Sequence, residues 1–216
     1  GAPRQRPSGR ASADLTAAAE RDYVDGPAGR LEIAVADPGS IRRGVALLAH
    51  PHPLHGGTLD NKVIQTLAKA FFSLGFAALR FNFRGVGRSE GVFDNGRGEI
   101  EDVIAVAQYA RTRFGGVDLA LAGFSFGGYV AAQAARTLRP AKLVLVAPAV
   151  NLYALPPVQS ATLVVHGEKD DVVPLKDLLA WARPQQLPVT VLPGAGHFFH
   201  GMLVPLRQLV QRYFGG

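Results

Sequence analysis

Short, unbroken apolar runs recur along this chain, and most are followed by a segment whose apolar residues fall at helical spacing. Residues 44–50 form the clearest run. A strand with one wet face alternates apolar and polar residues, so a run without alternation must be covered on both faces. Residues 61–74 then place Val63, Ile64, Leu67, Ala68, Phe71 and Phe72 on one side of a helix, which Gly75 ends. The pattern continues with strands at 76–81, 117–122, 143–147, 163–166 and 189–192, and helices at 100–114, 126–138, 175–181 and 203–214. Ahead of them, Tyr23-Val24 and residues 31–36 read as a hairpin turned at Asp25-Gly26-Pro27 and Gly29. This order predicts an α/β domain with a mostly parallel central sheet and helices on both faces.

Composition agrees with a self-sufficient core. The chain has 216 residues, 48% of them hydrophobic, and no cysteine. Disulfides, iron–sulfur clusters, thiolate zinc sites and a cysteine nucleophile are therefore excluded. No apolar run reaches the roughly 18–20 residues that span a bilayer. Residues 1–19 carry no sustained apolar pattern and read as a flexible tail, leaving 20–216 as one domain. The formal net charge is +6, with Arg4, Arg6 and Arg10 all in the first ten residues. The remaining cations are interleaved with acids rather than clustered among aromatics, so neither nucleic acid nor membrane is an expected partner. A cytoplasmic location is expected.

The strongest chemical signal is Gly123-Phe124-Ser125-Phe126-Gly127-Gly128, where a buried strand gives way to an alanine-rich helix. A serine on so sharp a turn needs unusual backbone angles and small neighbours, which the glycines supply. Its hydroxyl needs a base, and the base an orienting acid. Glu168, Asp170 and Asp171 follow one strand and His197 follows the last one, so all stand at the edge where Ser125 stands.

The order Ser…Asp…His and the strand–turn–helix serine resemble the α/β-hydrolase superfamily, from about Tyr23 to Phe214. The resemblance implies the acid at Asp170, within His166-Gly-x-x-Asp170-x-x-Val173-Pro174, with Asp171 as the alternative. It implies the base at His197 rather than His200. It also implies an oxyanion hole made by the backbone N–H of Phe126 and a second donor from the loop His50-Pro51-His52-Pro53-Leu54-His55-Gly56-Gly57. There His52 stands between two prolines that cannot donate; Leu54 is the fallback. This His-Pro-His-Pro…Gly-Gly stretch is similar to the dienelactone-hydrolase branch, whose nucleophile is cysteine where this chain has serine. His50, His52 and His55 lack the further Asp-His pair of a metallohydrolase, so neither metal nor other cofactor is expected. Arg84-Gly85-Val86-Gly87-Arg88-Ser89 matches the superfamily's turn after the fourth strand and is expected to pack behind the site.

Residues 148–162, with Pro156 and Pro157, are too few for the helical lid that many members insert there. The resemblance thus implies an open, lidless site for small or short-acyl esters, walled by Leu54, Phe93, Phe126, Tyr153, Val172 and Phe198. Thioesters, lactones and small amides are alternatives for the same machinery. A non-catalytic binding protein on the same fold is another. The sequence leaves the oligomeric state open.

Overall fold

The computed structural model describes residues 19–215. Eight strands form one sheet: β1 (Glu20–Gly26), β2 (Gly29–Ala36), β3 (Gly44–Ala49), β4 (Phe76–Phe81), β5 (Asp118–Phe124), β6 (Lys142–Val146), β7 (Leu163–Gly167) and β8 (Thr190–Leu192). Their order across the sheet is β1-β2-β4-β3-β5-β6-β7-β8. The hairpin partner β2 runs antiparallel to β1 and β4, and every pair from β4 to β8 is parallel. The carboxyl ends of β3 to β8 therefore share one edge, where open α/β sheets carry their ligand sites.

Side chains of a strand alternate between its faces. In β3, Val45, Leu47 and Ala49 join the core beneath α2 (Arg97–Phe114), α3 (Phe126–Leu138) and α4 (Leu175–Ala182). Ala46 and Leu48 join the other core, beneath α1 (Lys62–Ser73) and α5 (Leu203–Phe214). All six β3 residues are buried, so the run needs no polar alternation. Helix α1 begins where the Asn61 side chain accepts the N–H groups of Val63 and Ile64 at 2.9 and 3.2 Å. It stops at Gly75, whose φ of +84° ends the helical path.

Two elements extend beyond the sequence reading. β1 starts at Glu20 rather than Tyr23, because Glu20, Arg21 and Asp22 are exposed on an edge strand, where charge conceals the strand pattern and protects the edge. α2 starts at Arg97 rather than Ile100. The buried Glu99 carboxylate accepts the N–H groups of Asp94 and Gly96 and fixes a first turn with little apolar content. Residues 1–18 of the expected tail lie outside the described residues. Among the described residues, no helix is long and apolar enough to cross a membrane.

The glycine-rich turn after β4 is pinned from behind. Arg84 donates to both carboxylate oxygens of the fully buried Asp102, through Nη2 at 2.8 Å and Nε at 3.1 and 3.2 Å. Ser89 Oγ donates to the Asn82 carbonyl and accepts the Glu32 N–H.

Candidate active site

Ser125 sits between β5 and α3 with φ +55° and ψ −114°, a region that costs a non-glycine residue about 1–3 kcal/mol. The surroundings impose it. The Ser125 N–H donates to the Val146 carbonyl at 3.0 Å, and its carbonyl accepts the N–H groups of Gly128, Tyr129 and Ala149. A Cβ on Gly123 would run into the Gly127 carbonyl, and one on Gly127 into the Ala49 carbonyl. Glycine lets the elbow close against β3.

The imidazole of His197, in the loop after β8, lies between Ser125 and the acid after β7. Its Nε2 is 3.1 Å from Ser125 Oγ, and its Nδ1 is 2.7 Å from Asp170 Oδ2. With Nδ1–H donating to the carboxylate, Nε2 is left to accept from the hydroxyl. All three residues are nearly buried. The second carboxylate oxygen of Asp170 accepts the N–H groups of Val172 and Val173 at 2.9 and 2.7 Å. Burial opposes charge on Asp170, but the His197 hydrogen bond, the Val173 N–H and the flanking imidazoles outweigh it and hold the carboxyl below its usual value. Asp171 is exposed, and it is Asp170 that faces the imidazole.

The backbone N–H groups of Phe126, at the start of α3, and of His52 donate to no group among the described residues. The first is an orphan donor of the helix terminus. The two residues adjoin, with ring centroids 5.1 Å apart. The fallback donor is engaged elsewhere, since the Leu54 N–H donates to His52 Nδ1 at 3.1 Å.

Two buried histidines carry structural work that the sequence reading left unassigned. His166, in β7, donates from Nε2 to the Val173 carbonyl at 2.7 Å and lies 3.5 Å from Asp170 Oδ2. It braces the turn that aims the carboxylate. His50 holds the loop after β3: Nδ1–H donates to the Pro51 carbonyl at 2.7 Å, and Nε2 accepts the Phe83 N–H at 3.1 Å. Both ring nitrogens are thus occupied. The apolar burial that marks them is a tertiary property and leaves no signature in the spacing of histidines.

Burial pushes His50 down from 6.5 to about 4, despite the Pro51 carbonyl. The unfolded chain therefore binds the proton first, so this contribution to stability is complete above about pH 6.5 and is lost on acidification toward pH 4. Thermal unfolding between pH 7 and pH 4 should show a falling midpoint, and His50→Gln should flatten that fall. A slope identical in both proteins would contradict it.

Around Ser125 the expected wall residues divide. Phe93 and Tyr153 are half-buried and pack on Phe126 at 5.8 and 5.5 Å between centroids. Tyr129, missing from the sequence reading, stacks on Tyr153 at 4.5 Å. Leu54, Val172 and Phe198 are exposed, with Phe198 set edge-on against His197 at 5.0 Å. Residues 147–162 form turns without a helix, so nothing from that segment roofs the serine as a helical lid would.

A family profile described as serine aminopeptidase, S33, matches residues 52–162, which contain Ser125 and end before Asp170 and His197. The chain belongs to the α/β-hydrolase superfamily. This hydrolase is similar to an α/β serine hydrolase without lid from Xanthomonas campestris, with 36% identity and a TM-score of 0.84, covering 91% of this chain and 94% of that one. An α/β serine hydrolase homologue from Coxiella burnetii is 44% identical with a TM-score of 0.84, covering 89% of this chain and 96% of that one. An uncharacterized protein from Rickettsia prowazekii is 35% identical, over 82% of this chain and 81% of that one.

Proposed function

We propose that this α/β-hydrolase cleaves small carboxylic esters through an acyl-enzyme intermediate. The observation that carries the reading is the chain of contacts Ser125 Oγ–His197 Nε2 and His197 Nδ1–Asp170 Oδ2, at 3.1 and 2.7 Å. Ser125 Oγ attacks the carbonyl carbon as its proton passes to His197 Nε2. Asp170 holds the imidazolium that results. The carbonyl oxygen becomes an oxyanion between the N–H groups of Phe126 and His52. Collapse of the tetrahedral species breaks the bond to the alcohol oxygen, which leaves with the proton from His197. Water then repeats the sequence on the acyl-serine and releases the acid. This chemistry calls for no cofactor, and its partner is the ester itself.

The open site, with no helical lid between β6 and β7, suits small or short-acyl esters rather than emulsified lipid. His197 can protonate an alcohol oxygen as it leaves; thioesters and small amides differ in the atom expelled, and lactones in that the expelled alcohol stays tethered to the acyl group.

Intact mass after exposure to a fluorophosphonate should show one adduct per chain, absent from Ser125→Ala. Turnover of matched acetyl esters, thioesters, lactones and amides should then favour the ester. A folded parent that takes no adduct would overturn the hydrolytic reading. A thioester or amide preference would overturn the substrate class alone.

A further inference from the structure

We infer that the groove between the loop after β3 and the loop after β4 is the acyl subsite of this hydrolase, and that it takes an uncharged, apolar acyl chain longer than acetyl. The inference rests on the ester-hydrolase reading and deepens it.

Three of the four directions around a tetrahedral carbon at Ser125 are already taken. Ser125 Oγ occupies one. The oxyanion points to the N–H groups of Phe126 and His52. The leaving oxygen must lie toward His197 Nε2, from which it takes its proton, so the alcohol half extends on the side of His197 and Phe198. The acyl substituent needs the remaining direction.

Beside the two residues that receive the oxyanion, the ring of Phe93 packs against both His52 and Phe126, at 5.0 and 5.8 Å between centroids. Phe93 is also a wall of a neighbouring groove whose apolar lining includes Pro53, Leu54, Val86 and Val92. Leu54 is 67% exposed and Val92 76% exposed, and both line the same groove, so one apolar chain could cover them together. Each is tied to the site: Leu54 by its N–H bond to His52 Nδ1, and Val92 as the neighbour of Phe93. An acyl chain laid between them would leave water together with both side chains.

The chemistry of the groove also limits the occupant. Its one charged side chain, Arg84, is bound through Nε and Nη2 to the buried carboxylate of Asp102, and Glu101 lies 3.7 Å from Nη2. Its charge is therefore already answered, and an acyl chain ending in a carboxylate would gain little there.

The test is a series of 4-nitrophenyl esters with one leaving group and acetyl, butyryl or hexanoyl chains, kept below aggregation. A fully buried methylene is worth about fourfold and a half-buried one about twofold, so four half-buried methylenes predict that kcat/KM rises at least about tenfold from acetyl to hexanoyl. Val92→Asp should cut the hexanoyl-to-acetyl ratio by about fivefold or more. Leu152→Asp, on an equally exposed leucine in the loop between β6 and β7, should leave that ratio as in the parent. A flat series in an active parent, or an equal loss in Leu152→Asp, would overturn the subsite.

Calorimetric binding of 4-nitrophenyl hexanoate to Ser125→Ala separates the two readings. Should the parent turn over no ester while this variant binds hexanoate ester and loses binding with Val92→Asp, the hydrolytic reading fails and the acyl groove stands. Binding indifferent to Val92→Asp would overturn the groove.

Discussion

Ser125→Ala should lower ester turnover by at least about 10⁴-fold and leave the fold intact, because in the proposed mechanism the hydroxyl is the one group that forms and breaks a bond to substrate. Its contacts are few enough to remove cleanly: Oγ meets His197 Nε2, whereas the strained backbone is held by the Val146 carbonyl and the N–H groups of Gly128, Tyr129 and Ala149. His197→Ala should cost a similar factor, and the double variant little more than either alone, since serine and base act as one unit. Asp170→Asn should lose about 10³–10⁴-fold. Its amide would have to keep an oxygen toward the Val172 and Val173 N–H groups, and the NH₂ group would then face His197 Nδ1 and force the wrong tautomer. Turnover of a 4-nitrophenyl ester and urea unfolding of each variant are the measurements. Full activity in Ser125→Ala would remove Ser125 from the mechanism.

How much of this was legible beforehand depends on whether a feature is local. The glycine-flanked serine, its strand and its helix are contiguous, so one stretch of sequence carries the whole elbow. The spacing also located β3 to β7 closely, because strands buried on both faces announce themselves by having few polar residues. The acid was harder. Asp170 and Asp171 are neighbours, and their difference arises only when the turn folds back so that Val172 and Val173 present N–H groups to one of them. His50 and His166 belong to the same class: their partners are backbone groups of Pro51, Phe83 and Val173, and nothing in a histidine's identity records which carbonyl it will meet. The resemblance to α/β-hydrolases supplied Asp170 and His197 where spacing alone left the choice open. Helix α2 shows the opposite failure, for its first turn is fixed by the buried Glu99 and is invisible to a search for apolar spacing.

The second large effect is on stability, and its sign reverses the usual rule. Gly127 lies in the first turn of α3, where alanine in place of glycine ordinarily gains up to about 1 kcal/mol. Here a Cβ would run into the backbone carbonyls of Ala49 and His50, which belong to the sheet and to the loop leading to His52. Neither is the movable end of a side chain, so either α3 or the end of β3 must shift. Gly127→Ala is expected to lose more than about 3 kcal/mol in urea unfolding, beyond the usual range of overpacking because both obstacles are main chain. Any folded fraction should also turn over esters more slowly, since displacing Ala49 and His50 moves the His52 N–H. Gly128→Ala provides the comparison one residue on. Its Cβ would lie 3.0 Å from Pro148 Cα and Cβ, a contact a slight adjustment relieves, so a change within about 1 kcal/mol is expected. Equal stability of the two variants would mean that the elbow does not close against β3, and with that the contact placing Phe126 and His52 side by side would be lost.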